Sequence, residues 1–122
     1  MKKKYIIKNK REIDSLFKNS IKKGDPYFSI FLKDDGTNVN FRFSLSIGKK
    51  FGNAVARNKI KRQLRSIVRE NKDLIKKSSN FVIVIKKIAN TLSYEEINNK
   101  IVNLLIKLNI MEKNRWKITK KS

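Results

Sequence analysis

Apolar positions recur along this chain in two rhythms. Between residues 40 and 48, Phe41, Phe43, Leu45 and Ile47 alternate with Arg42, Ser44, Ser46 and Gly48. A period of two predicts a strand with one face packed on helices and the other left with small polar groups. From about Ala54 the rhythm changes. Ala56, Ile60, Leu64, Ile67 and Val68 follow one another at steps that put them on one stripe of a helix, with Asn58, Lys61, Arg62, Arg65 and Arg69 on the other side. Ile97, Ile101, Leu104, Leu105 and Leu108 give a second helical stripe, and Ile13, Leu16 and Phe17 a shorter one over about Lys10 to Asn19. Tyr27 to Lys33 is aromatic and β-branched, as a strand requires. Phe81 to Ile85 is a continuous apolar run, the composition of a central strand buried on both faces.

The residues between these segments supply starts and stops. Asn9 with Glu12 resembles a capping box at the first helix, and Gly52-Asn53 offers a turn and N-cap for the second. Ser93 with Glu96 forms a capping box for the third, with Leu92 and Ile97 as its hydrophobic staple. Gly24-Asp25-Pro26 breaks the chain, Asp34 to Asn38 reads as a hairpin turn, and Lys76 to Asn80 as a loop. The element order is therefore a helix, two or three strands, a helix, a strand and a helix, taken as α-β-β-β-α-β-α. It predicts an α/β (α+β) two-layer sandwich, a small mixed four-stranded sheet with three helices. At 122 residues the chain suits a single domain over 1–122. A basic arm at 1–8 and a basic tail at 111–122, carrying Lys113, Arg115, Lys117, Lys120 and Lys121 and expected to be mobile, flank it.

Charge changes this picture. Thirty-one Lys and Arg against ten Asp and Glu leave +21, a self-repulsion that a polyanionic partner would offset. No acid occurs from Gly36 to Arg69. Like charges at four-residue spacing weaken a helix in water, so the 54–69 helix reads as an element glued on by its apolar stripe and presenting cations to nucleic acid.

Composition also removes chemistry. With no Cys and no His, disulfides, Cys/His zinc sites, thiol nucleophiles and imidazole acid–base catalysis are excluded. The acids are scattered, and Asp34-Asp35 belongs to a turn, so the protein alone looks like a poor catalyst. The apolar patch after Met1-Lys2-Lys3-Lys4 is too short for a signal peptide, and no stretch approaches a membrane span. A cytoplasmic protein with no membrane partner and no small-molecule substrate is expected. Three functions fit: the RNA-binding subunit of a ribonucleoprotein enzyme, a basic ribosomal protein, or an architectural DNA-binding protein.

The run Lys49-Lys50-Phe51-Gly52-Asn53-Ala54-Val55-Ala56-Arg57-Asn58-Lys59-Ile60-Lys61-Arg62-Gln63-Leu64-Arg65 resembles the signature of the bacterial ribonuclease P protein subunit. In that family a lysine pair and a Gly-Asn-Ala-Val turn lead into an Arg-Asn-Arg helix. Here the third residue of the triplet is Lys59, which keeps the charge without bidentate phosphate geometry. The resemblance extends to Leu16-Phe17-Lys18, the aromatic strand and Leu92-Ser93-Tyr94-Glu95-Glu96. It implies a protein that partners a catalytic RNA and helps it remove the 5′ leader from precursor tRNA, with Mg²⁺ held mainly by the RNA. By position, Ile13, Phe17 and Phe31 would form a leader cleft, with Asn58, Lys61 and Arg65 reaching in. Lys49, Lys50, Arg57, Lys59, Arg62 and Arg69 would face the catalytic RNA.

Overall fold

A computed structural model describes residues 2–112 of the chain. Three helices, α1 (Lys10–Lys18), α2 (Ala54–Glu70) and α3 (Tyr94–Lys107), accompany four strands, β1 (Ile21–Gly24), β2 (Phe28–Asp34), β3 (Arg42–Ile47) and β4 (Ser79–Ile85). The sheet order is β1-β2-β4-β3. The β1–β2 and β2–β4 pairs are antiparallel and β3–β4 is parallel, giving the mixed sheet and the α-β-β-β-α-β-α order expected from the patterning.

The strand alternation sorts the sheet into two faces. Phe28, Ile30, Leu32, Phe43, Phe81, Ile83 and Ile85 point to one side, where they are buried with Ile60, Leu64, Ile67 and Val68 of α2 and Ile97, Ile101, Leu104 and Leu105 of α3. Each fully buried side chain of this size contributes roughly 1.5–3 kcal/mol of transfer free energy, so this layer holds the fold. The opposite face carries a smaller cluster, in which Ile7, Leu16 and Val82 are buried and Ile13 and Val84 partly so. This is where α1 sits, so β4, between two neighbours and covered on both sides, is buried as its apolar run demands.

Local chemistry sets the element ends. The Asn9 side chain accepts from the Arg11 and Glu12 backbone N–H groups at 2.8 and 3.3 Å, and Asn53 accepts from Ala56 at 2.9 Å. Ser93 and Glu96 form the full reciprocal capping box. Beyond α3, Asn109 adopts a left-handed conformation with φ 61°, and Ile110 N–H reaches back to the Leu105 carbonyl at 3.2 Å. Asn is one of the few side chains that tolerates this conformation at a helix end.

Three expectations are corrected, and the basic arm gains a place in the fold. Asp34 to Asn38 is a turn, stabilised by Thr37 donating to Asp35 Oδ1, but it does not close a hairpin. It carries the chain past β4, because β2 and β3 each pair with β4 and not with each other. The true hairpin lies at Gly24-Asp25-Pro26, where Asp25 Oδ1 accepts the Tyr27 and Phe28 N–H groups, both at 2.7 Å. The loop expected at Lys76 to Asn80 is shorter, since Ser79 and Asn80 already belong to β4. The basic arm is docked: Ile6 bridges to Phe43, Ile7 N–H donates to the Phe43 carbonyl at 2.9 Å, and Ile7 is buried. Of the tail, Met111 is buried and bridges to Ile75, so the chain stays attached to the core there. The calls on Lys113, Arg115, Lys117, Lys120 and Lys121 lie outside the described residues. Among the described residues no helix is long and apolar enough to cross a membrane.

Candidate nucleic-acid interface

The α1 face of the sheet holds the first part of the site. Pairing aligns Lys22, Phe31, Val82 and Ser44 across four strands, and Gly24, Ser29, Val84 and Ser46 in the next row. Helix α1 covers the first row through Leu16 and Ile13 and ends with Phe17 against Phe31. The two rings meet edge to face, centroids 4.9 Å apart at 71°. Phe17 is 39% exposed, Phe31 is half-buried, and Lys22 Nζ stands 5.4 Å from the Phe31 centroid. Val84, Ser44 and Ser46 beside them are only partly covered. An aromatic step over a floor of small side chains, with a cation at its rim, can take a stacked base and its phosphate.

Glu12 fixes the other end of α1. It does not close back on its own cap; its carboxylate takes a two-pronged contact from the Arg42 guanidinium of β3, at 2.8 and 3.1 Å. The helix thus spans the sheet from β3 to β2, pinned by charge at one end and by rings at the other.

Helix α2 supplies the cations and divides them by flank. Lys59, Gln63, Ser66 and Glu70 recur on the flank toward α3, where Tyr94 Oη bonds to Ser66 and Glu70. Lys59 and Gln63 line a groove of about 270 Å³ with Phe51, Asn90 and Tyr94. Asn58, Lys61 and Arg65 share the other flank, away from α3. Arg62 is exposed on the outward face, Arg69 is exposed at the end of the helix next to the N-terminal segment, and Lys49 and Lys50 are exposed in a single 3₁₀ turn ahead of the helix.

Arg57 departs from the outward group. Its guanidinium is half-buried and donates to the Gly52 carbonyl at 2.8 Å and the Lys49 carbonyl at 3.5 Å. It braces the turn that carries Lys49 and Lys50. Gly52 suits this tight turn, because a Cβ there would meet the Ala56 Cβ at 3.2 Å.

The structure therefore brings Ile13, Phe17 and Phe31 together on one sheet face and sets Asn58, Lys61 and Arg65 on one flank of α2. It separates Lys59 from Arg62 and turns Arg57 inward. Lys22 was missed by sequence reasoning. Recognising Gly24-Asp25-Pro26 as a hairpin turn would have found it, since that register puts Lys22 opposite Phe31. Among the described residues no three Asp, Glu, His or Cys converge.

Comparison with known proteins bears on the family and the fold. The family described as Ribonuclease P matches residues 1–109. The chain is 44% identical over 113 residues to the ribonuclease P protein component of Acholeplasma laidlawii, covering 93% of this chain and 97% of that one. The RNase P protein of Staphylococcus aureus superposes with a TM-score of 0.83 at 25% identity, over 88% of this chain and 98% of that one. That of Thermotoga maritima superposes with a TM-score of 0.74 at 28% identity, over 81% and 93%.

Proposed function

This chain belongs to the ribonuclease P protein family, and from that premise we propose how its surface is divided between two RNAs. A member of this family is the protein component that works with a catalytic RNA in removing the 5′ leader of precursor tRNA. In our reading residues 1–122 act as one RNA-binding domain. The α1 face of the sheet takes the leader, with Phe17, Phe31 and Ile13 as its apolar contacts and Asn58, Lys61 and Arg65 at its rim. Lys22 joins this group. Lys49, Lys50, Lys59, Arg62 and Arg69 face the catalytic RNA, and Arg57 serves that surface by holding the lysine turn in place.

The observation that carries this is the edge-to-face pair of Phe17 and Phe31, left partly exposed beside Lys22. A ring pair meant only for the core would be covered. Stacking holds single strands with little sequence preference, which suits leaders that differ from one precursor to the next. The protein's cations lower the repulsion between leader and catalytic RNA by neutralising phosphates near both. Mg²⁺ belongs to the RNA in this reading, since the chain's own carboxylates do not converge.

The test is the affinity of the reconstituted holoenzyme for precursors with a long leader and for leaderless tRNA. Phe17→Ala should cost roughly 1–3 kcal/mol with the leader present and much less without it. Arg62→Ala should instead weaken assembly with the catalytic RNA, whatever the substrate. Equal losses on both substrates for Phe17→Ala would sink the leader assignment.

A further inference from the structure

The docked N-terminal segment builds a second hollow. Lys3–Tyr5 form a single 3₁₀ turn, the Asn40 side chain donates to the Lys4 carbonyl at 3.0 Å, and the Tyr5 ring leans on Phe41 with centroids 4.9 Å apart. This sets Lys2 and Lys4 beside Arg69 at the end of α2 and Lys72 just beyond it. With Tyr5 they line a hollow of about 380 Å³, and among the described residues no acid lines it. Lys4 Nζ stands over the Tyr5 ring, 5.2 Å from its centroid; a base stacking on Tyr5 takes the place of this exposed, flexible ammonium, which then moves to the phosphate.

Cations at a helix C-terminus ordinarily complement its dipole. That accounts for Arg69 and Lys72. It does not account for Lys2 and Lys4, which come from the other end of the chain, or for a half-buried ring between them. Four like charges around one hollow repel, and an anion relieves them. A ring with flanking cations suits a nucleotide, the base on the π face and the phosphates on the ammonium and guanidinium groups.

We propose that this hollow binds one unpaired nucleotide of the catalytic RNA, stacked on Tyr5 with its phosphates on Lys2, Lys4, Arg69 and Lys72. This rests on the surface division above and extends it. Arg69 follows Arg62 by two turns on the outward face of α2. The hollow lies beside β3, at the opposite side of the sheet from the Phe17–Phe31 pair on β2. Both facts point to the catalytic RNA rather than the leader.

The holoenzyme is reconstituted with a photoreactive benzoylphenylalanine in place of Tyr5, with and without precursor tRNA. Irradiation should join it to one unpaired nucleotide of the catalytic RNA in both states. Cross-links confined to the substrate, or none, would overturn the proposal. In parallel, Tyr5→Leu keeps an apolar contact with Phe41 but removes the stack. It should lower affinity for the catalytic RNA about 5- to 100-fold, while Tyr5→Phe leaves it unchanged. The Lys4→Gln/Lys72→Gln pair, which spares the packing, should reduce the salt-dependence slope by roughly 0.7–0.9 for each charge removed. Wild-type assembly in both sets would also overturn it. The ratio of long-leader to leaderless affinity should not change in any of these variants. A changed ratio would instead strike the leader assignment, so the two failures are distinguishable.

Discussion

Glu12 and Arg42 form a bidentate ion pair that ties the start of α1 to β3, at 2.8 and 3.1 Å. The small cluster under α1 buries only Ile7, Leu16 and Val82 fully, and this pair adds a directional tie to that apolar seat. Both side chains keep about a third or more of their surface in solvent, which limits the energy to about 1 kcal/mol. Arg42→Ala should lower unfolding stability by that amount and loosen α1. Leader affinity should fall while assembly with the catalytic RNA is kept. The charge swap Glu12→Arg/Arg42→Glu should recover part of both losses, and a double-mutant cycle in denaturant checks it.

Arg57 and Arg62 are five residues apart and should behave differently. Arg57→Ala removes a part-buried, charge-assisted hydrogen bond to the Gly52 carbonyl and should cost about 1 kcal/mol of stability. Arg62→Ala should stay within roughly 0.5 kcal/mol of wild type and reduce the salt slope of RNA binding by roughly 0.7–0.9. Thermal melts beside salt titrations separate the two.

The Glu96 carboxyl is held below its ordinary value of 4.5 by the Ser93 backbone N–H first and the Ser93 hydroxyl second. A depressed folded value means that the capping contribution is present above the unfolded value and is lost as pH falls through the folded one. As pH falls below the ordinary value of 4.5 and through the lowered folded one, the wild type should therefore lose stability that Glu96→Gln does not lose. Denaturant midpoints of the two proteins across that range should converge on acidification.

Asn109 pays for its left-handed backbone with a side chain that tolerates it. Asn109→Ala should destabilise by about 1 kcal/mol, and Asn109→Gly should remain within about 0.5 kcal/mol of wild type. If alanine is neutral, the left-handed end of α3 does not hold Ile110 and Met111 on the core.

Much of this was legible before any coordinates. The α2 and α3 stripes, the Ser93–Glu96 box and the buried run of β4 are local signals, each written within a few consecutive residues. What was not legible depends on partners distant in sequence. Strand β1 has no apolar alternation, because all four of its residues are exposed at a sheet edge. The insertion of β4 between β2 and β3 depends on a parallel pairing that no turn announces. Glu12 read as a capping residue because its true partner, Arg42, is on another element. Tyr5 read only as part of a basic arm because Phe41, on which it packs, is equally remote. At the interface, residue types were legible and orientation was not. Arg57 sits in the basic motif, yet the carbonyls of its own turn draw it inward.

Among the described residues no strand pairs with the outer edge of β1, and this has a consequence for the protein before it meets RNA. An unpaired strand edge is a template on which another chain can add a strand. Here that edge is four residues long and carries Lys22 and Lys23. A second copy approaching in register would bring its own lysines alongside them, on a body already at +21. The charge that attracts nucleic acid therefore also opposes self-templating at this edge.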